Sequence, residues 1–258
     1  RSTLFPYTTL FRSNQRRIRK CTRLRLSRRP AWKRDKPEMA RILAISDVEL
    51  GQLYNASIRD RHQGIDLVLS LGDLPMYYLD YISSALNVPL YYVLGNHHAD
   101  SKRQEASYGR GPADWDCGNN LHQRFRRFED SLLFLGMEGS IRYNYGPAQY
   151  TQEMMWSMCL RCVPRLMLNY ALYGRFLDIF ATHSPPYQIH DADDPPHIGF
   201  KAFRWFLKTF QPQFHLHGHI HLYRQDAVRE TVYYRTRIIN CYGYQVIEAF
   251  EPKRNERR

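Results

Sequence analysis

The residues best equipped for chemistry in this chain stand in short clusters: Asp47-Val48-Glu49, Gly72-Asp73, Gly95-Asn96-His97, Thr182-His183 and Gly218-His219-Ile220-His221. Their donor atoms are carboxylate oxygen, amide oxygen and imidazole nitrogen, the set that binds divalent first-row metals. His219 and His221 are two residues apart, so an extended backbone turns both rings to one side. Metals held by such groups polarise an electrophilic oxygen and acidify water. A lone histidine or a Gly-Asp pair is commonplace and by itself points to structure; the inference rests on all five clusters in order. His98, His122, His190 and His197 are further imidazoles in the chain and the candidate substrate-side contacts.

These clusters act together only if secondary structure delivers them to one place. Apolar runs at 41–45, 67–71, 90–94, 178–182 and 214–216 each stop at or just before one of them, and they read as buried strands. Amphipathic stretches at 50–61, 77–86, 151–173 and 200–210 predict helices between the strands, and 231–234, 237–240 and 244–250 predict strands in hairpins. The pattern is that of a layered α/β domain. Its polar clusters follow the carboxyl ends of strands, where open α/β sheets gather ligands. Residues 100–130 are polar and glycine-containing and predict a long loop, which carries Arg110 and His122.

The order of motifs from Ala44 to His221 resembles the calcineurin-like metallophosphoesterase superfamily, whose usual pattern is Asp-x-His, Gly-Asp, Gly-Asn-His, a later His, then Gly-His-x-His. The resemblance implies a four-layer α/β fold, two packed mixed β-sheets flanked by helices, with the metal site at the strand C-terminal ends. It implies two divalent ions, with Asp73 bridging them. Asp47 and His221 would complete the first site, and Asn96, His183 and His219 the second. A hydroxide generated between metals about 3.5–4 Å apart would attack phosphorus in line. His97 would contact the phosphate or protonate the leaving oxygen.

Two positions depart from that pattern. Glu49 stands where the family has its first histidine; it is a harder, anionic donor, and it tilts the first site towards Mn²⁺ or Mg²⁺ and away from Zn²⁺. The expected metal is Mn²⁺, with Fe, Zn and Mg as alternatives, and the strength of the first site depends on whether Glu49 reaches it. His98 follows Asn96-His97 where many relatives carry an acid, and Met76 stands where some relatives carry an aspartate that orients His97. The expected activity is hydrolysis of phosphate mono- or diesters. A nuclease or cyclic-nucleotide phosphodiesterase, and a metal-binding scaffold without turnover, are the competing readings.

Bulk composition narrows the partners. The net charge of +12 suggests nucleic acid, but residues 1–38 carry +11 of it and the other 220 residues are nearly neutral, at +1. Long duplex binding needs a basic face that this body lacks, so a small phosphate ester is the expected partner. Residues 3–13 read TLFPYTTLFRS and resemble one reading frame of a sequencing-library adapter, so 1–38 is expected to be a non-native or disordered leader. Met39 then opens the phosphoesterase domain at 39–252, followed by a charged tail at 253–258. No run approaches the roughly 18 apolar residues of a membrane helix. The five scattered cysteines suggest no disulfide framework, and the expected location is cytoplasmic. Cys159 and Cys162 form a lone CxxC inside a predicted helix, which reads as packing. The Met-rich run 154–158 within 151–173 reads as a core-facing helix, the sharper alternative being an exposed apolar lid that grips a lipid-like substrate.

Overall fold

The computed structural model describes residues 39–97, 119–129, 131–224 and 226–250, all within one compact unit. His98, Arg110, the basic leader and the charged tail lie outside the described residues. Strand β1 (Met39–Ser46) is flanked by parallel β2 (Leu67–Ser70) and antiparallel β12 (Gly243–Phe250), and β3 (Leu90–Tyr92) extends the sheet in the order β12-β1-β2-β3. The second sheet has six strands: β10 (Glu230–Tyr233), β11 (Thr236–Asn240), β9 (Phe214–His217), β8 (Ile179–Thr182), β5 (Leu132–Met137) and β4 (Phe125–Phe128), in that spatial order. Its inner four strands are parallel and its two edge pairings antiparallel. A short parallel pair, β6 (Ser140–Ile141) with β7 (Gln149–Tyr150), stands apart.

Side-chain alternation along each strand explains why the sheets stack. Ile42, Ala44, Leu67 and Leu69 point inward and meet Phe134, Ile179, Ala181, Phe214 and Leu216 of the second sheet in one buried cluster. Leu43, Ile45 and Val68 point the other way, against α2 (Met76–Leu86) and the short α1 (Ile58–Arg61). The outer face of the second sheet packs Leu133, Leu135, Phe180 and Ile238 against α3 (Gln152–Tyr173) and α4 (Lys201–Phe210). The result is four layers, helix–sheet–sheet–helix, as expected. Phe180 illustrates the packing: fully buried, it stacks on Phe206 at 4.4 Å and meets Phe203 edge-on at 5.3 Å. Burying a ring of this kind contributes about 1.5–3 kcal/mol.

The long helix α3 begins where Thr151 accepts a hydrogen bond from the Met154 amide at 3.2 Å, and it stops at Gly174, whose φ of 73° no longer fits a right-handed helix. Pro164 sits inside it and removes one intrahelical hydrogen bond. Cys159 and Cys162 face the core unpaired, and burial pushes both thiols up, Cys162 to about 11. No helix among the described residues is long and apolar enough to cross a membrane.

Several elements differ from expectation, and one is the last strand: β12, expected in a hairpin, instead pairs with β1 in the other sheet from β11. The helix expected at 50–61 shrinks to its last turn, because Asn55 bonds the Gly51 carbonyl, the Ser57 amide and the Ser57 hydroxyl, a local alternative to helical pairing. The loop expected over 100–130 contains β4, whose two arginines mask its strand pattern. Strand β5 was not expected, although its LLFLGM run is as apolar as the other buried strands, because it ends at no chemical cluster.

Candidate metal centre

Five strand ends converge at one edge of the sandwich. Asp47 follows β1, Asp73 follows β2, Asn96 follows β3, His183 follows β8 and His219 follows β9. Two contacts lock the sheets together there: His183 Nδ1 donates to the Leu71 carbonyl at 2.7 Å, and the His219 amide donates to both oxygens of Asp47 at 3.0 Å. The turns that follow the strands are tight. Asp47, Asp73 and His219 have φ of 67°, 55° and 67°, the left-handed region that costs a non-glycine residue about 1–2 kcal/mol. Local strain of this kind gathers at functional sites. The glycines of the motifs have a steric cause. A Cβ on Gly95 would lie 2.1 Å from Asp73 Oδ1, and one on Gly218 would lie 1.8 Å from Ser46 Oγ.

The donors come together unequally. Ligand atoms of Asp73, His183 and His219 lie within 4.8 Å of one another. His183 is fully buried, and its Nε2 stands 3.1 Å from Asn96 Oδ1 and 3.2 Å from Asp73 Oδ2. Because Nδ1 is committed to the Leu71 carbonyl, Nε2 is the atom presented to the cluster. His219 uses the opposite nitrogen: its Nε2 donates to the Pro196 carbonyl at 2.8 Å, which leaves Nδ1 facing the centre, with the ring 4.8 Å from that of His183. Asn96 is buried, and its Nδ2 donates to the Tyr143 hydroxyl at 3.2 Å, which turns Oδ1 towards His183. Asp73 Oδ1 accepts the His97 amide at 2.8 Å.

Electrostatics of the bare chain mark the same spot. Burial alone would push the His183 imidazole down, but the carboxylates of Asp73 and Asp47 outweigh it and raise it to about 9. Burial likewise opposes ionisation of Asp73, yet the His183 charge and hydrogen bond hold it at about 2. The oxygens of Asn96 and Asp73 around His183 Nε2 thus favour positive charge at this point. His219 is pushed down to about 3, by burial first and by the His183 charge second, so it presents a lone pair. Asp47 is raised, chiefly by burial.

The other expected residues lie around this core. Glu49 is exposed and accepts a hydrogen bond from the Tyr77 hydroxyl at the start of α2. His221 is exposed, its Nδ1 2.5 Å from the Tyr223 hydroxyl and its ring 4.7 Å from Tyr242. Neither joins the three-residue cluster, and nor does Asp47. The His97 side chain is exposed at the rim. His197 places its ring 5.0 Å from that of His219 and pairs with Asp194. His190 is committed elsewhere: His217 Nδ1 bonds the Gly218 carbonyl, so His217 Nε2 accepts from His190 Nδ1 at 3.0 Å, and His190 Nε2 accepts from Thr231 at 2.8 Å. His122 accepts the Glu138 amide at 3.1 Å and stacks on Tyr150.

Several partners of these groups had no sequence signal. Tyr143 lies 47 residues from Asn96 in a polar loop, and the Leu71 and Pro196 carbonyls are backbone atoms that any residue would supply. Asn240, whose side chain donates to the Ile220 carbonyl at 2.8 Å and braces the His219–His221 turn, is also unremarkable in sequence.

A family model described as calcineurin-like phosphoesterase matches residues 40–223. The chain belongs to that family. As a calcineurin-like phosphoesterase it shares its fold with the crystal structure of TT1561 of Thermus thermophilus, at a TM-score of 0.50 and 15% identity over 83% of this chain and 100% of that one. A second crystal structure aligns with a TM-score of 0.52 and 13% identity, again covering 83% of this chain and 100% of the other. No curated protein sequence matches the chain. The donor set of this calcineurin-like phosphoesterase fits the divalent metals its family uses: carboxylate, amide oxygen and two imidazoles, each histidine fixed through its other nitrogen.

Proposed function

We propose that this calcineurin-like phosphoesterase hydrolyses phosphate mono- or diesters at a two-metal site, with Mn²⁺ as the working ion. The observation that carries the reading is the placement of Asn96 Oδ1 and Asp73 Oδ2 within 3.2 Å of His183 Nε2, with His219 beside them. Asn96, His183 and His219 would hold one ion, Asp73 would bridge, and Asp47 with His221 would hold the other, Glu49 assisting. The ions, when bound, supply positive charge to the phosphoryl oxygens and an acidified water as nucleophile.

The chain's own residues orient and protect the site. Asp73 is aimed by the His97 amide, so one backbone segment sets both the bridging carboxylate and the rim histidine. The exposed His97 side chain is placed to meet the ester from solvent and to hydrogen-bond its phosphate or protonate the leaving oxygen. Cys159, Cys162 and Cys241, buried and unpaired, favour a reducing, cytoplasmic setting.

Assay of the full chain on an aryl phosphate monoester and diester with Mn²⁺, Mg²⁺, Zn²⁺ or chelator tests the reading. Turnover that needs metal, is highest with Mn²⁺ and disappears in Asp73→Ala supports it; turnover indifferent to chelator refutes it. A second reading, a metal-binding scaffold, draws on the exposed Glu49 held by Tyr77. Full metal loading without turnover of either ester would select that reading.

A further inference from the structure

The largest anomaly outside the metal centre is the outward face of α3. Its inward residues Met155, Cys159, Cys162, Leu166 and Asn169 recur at helical spacing and are buried. A soluble helix should be polar on the opposite side, yet Leu160, Pro164, Met167, Leu168 and Ala171 recur there with the same period, and Leu160 and Met167 are 52% and 53% exposed. Leu172 and Tyr170, each 50% exposed, widen the stripe near the C-terminal end. A contiguous apolar surface of this kind marks a contact with another phase or molecule.

Charge identifies the partner. Arg161 and Arg165, one turn apart and both exposed, line one edge of the stripe. Residues 154–177 contain three arginines and no Asp or Glu. Arg175 is paired with Asp178 at 2.8 Å, whereas Arg161 and Arg165 have no carboxylate partner among the described residues. Two copies of this face laid together would bring the Arg161 and Arg165 guanidinium groups to an interface whose one acid among the described residues of the helix, Glu153, sits at its N-terminal end under the influence of Lys201. A bilayer with anionic headgroups accepts both features, taking the leucines and methionine into its acyl boundary and the guanidinium groups at its surface. Tyr170 and Tyr173, at the same end of the helix, are of the type enriched at such interfaces.

We propose that the outward face of α3 docks this protein on anionic lipid membranes, the helix lying in the plane of the interface. The N-terminus of α3 lines a cleft of 280 Å³ together with Tyr143, the residue that holds Asn96.

Sedimentation of the full chain with phosphatidylcholine vesicles, with and without phosphatidylserine, tests this beside the double variant Leu160→Glu/Met167→Glu. Both side chains are largely exposed, and unchanged circular dichroism and melting temperature establish that the variant folds. The basic segment 1–38 is present in both proteins, so its attraction cancels in the ratio. The expected result is binding that requires phosphatidylserine and is weakened at least about tenfold in the variant. Arg161→Gln/Arg165→Gln is expected to weaken binding less, and chiefly at low salt. Equal behaviour of the wild-type chain and the leucine–methionine variant overturns the proposal. Self-association in free solution that the variant abolishes, without vesicle binding, replaces it with a second copy of the chain.

Discussion

The two halves of the candidate metal centre are built differently. On one side, Asn96, His183 and His219 are buried, and a second polar atom of each side chain is tied to a fixed partner: Tyr143, the Leu71 carbonyl and the Pro196 carbonyl. On the other, Glu49 and His221 are exposed and rest on tyrosine hydroxyls. Buried, braced donors lose little conformational entropy when they engage an ion, whereas exposed ones must first be ordered. The braced half should bind metal tightly, and the open half should fill only at higher metal concentration.

The strongest way to break this contrast is Asp73→Ala, since that residue is proposed to bridge the two halves. Metal affinity is expected to fall by more than about a hundredfold at both sites, beyond the loss typical of removing an outer partner; isothermal titration with Mn²⁺ would read it. Loss at one site alone would show that Asp73 does not bridge.

The braced half also leans on buried neutral histidines of β9, which the open half lacks. His215 donates through Nε2 to Thr182, while its Nδ1 has no partner among the described residues, and burial pushes its pKa down to about 3. The unfolded chain, with an ordinary value of 6.5, binds the proton that the folded chain excludes. The contribution of His215 is therefore complete above about pH 6.5 and is lost as pH falls towards 3. Between pH 7 and 5 it should remove about 2 kcal/mol from the stability of the chelator-treated protein. Urea unfolding at both pH values, beside His215→Gln, isolates this group; equal slopes in the two proteins would discount it.

Tyr143→Phe sharpens the contrast more gently. It removes only the hydroxyl that orients Asn96, so the tighter metal site should weaken about tenfold while the looser one is unchanged. The smallest effect is expected from Glu49→Ala: shared with the Tyr77 hydroxyl, the carboxylate assists only weakly, and affinity of the looser site changes by less than about threefold. A loss as large as that of Tyr143→Phe would place Glu49 among the ligands and make the two halves alike.

Legibility in the sequence followed the same divide. The strands carrying the clusters could be read because each is a short apolar run that stops at a polar group, and the motif glycines are there because Asp73 and Ser46 occupy the space a side chain would need. Strand β5, an equally apolar run, stops at no polar cluster to mark it, and local bonding by Asn55 overrode the helical pattern at 50–61. At the centre, candidate ligand types were visible but the partners that orient them were not. Tyr143 reaches Asn96 across the fold, His190 is drawn away to His217 and Thr231, and two histidines are oriented by backbone carbonyls that carry no residue identity.

The left-handed turns at Asp47, Asp73 and His219 bear on how this protein would respond to selection. Glycine relaxes such a backbone conformation and deletes the donor in the same step. Selection for heat resistance alone, with activity unscreened, should therefore enrich glycine or asparagine at these three positions and yield hardier proteins emptied of their chemistry. Their retention in a variant library would report that function was being selected alongside stability.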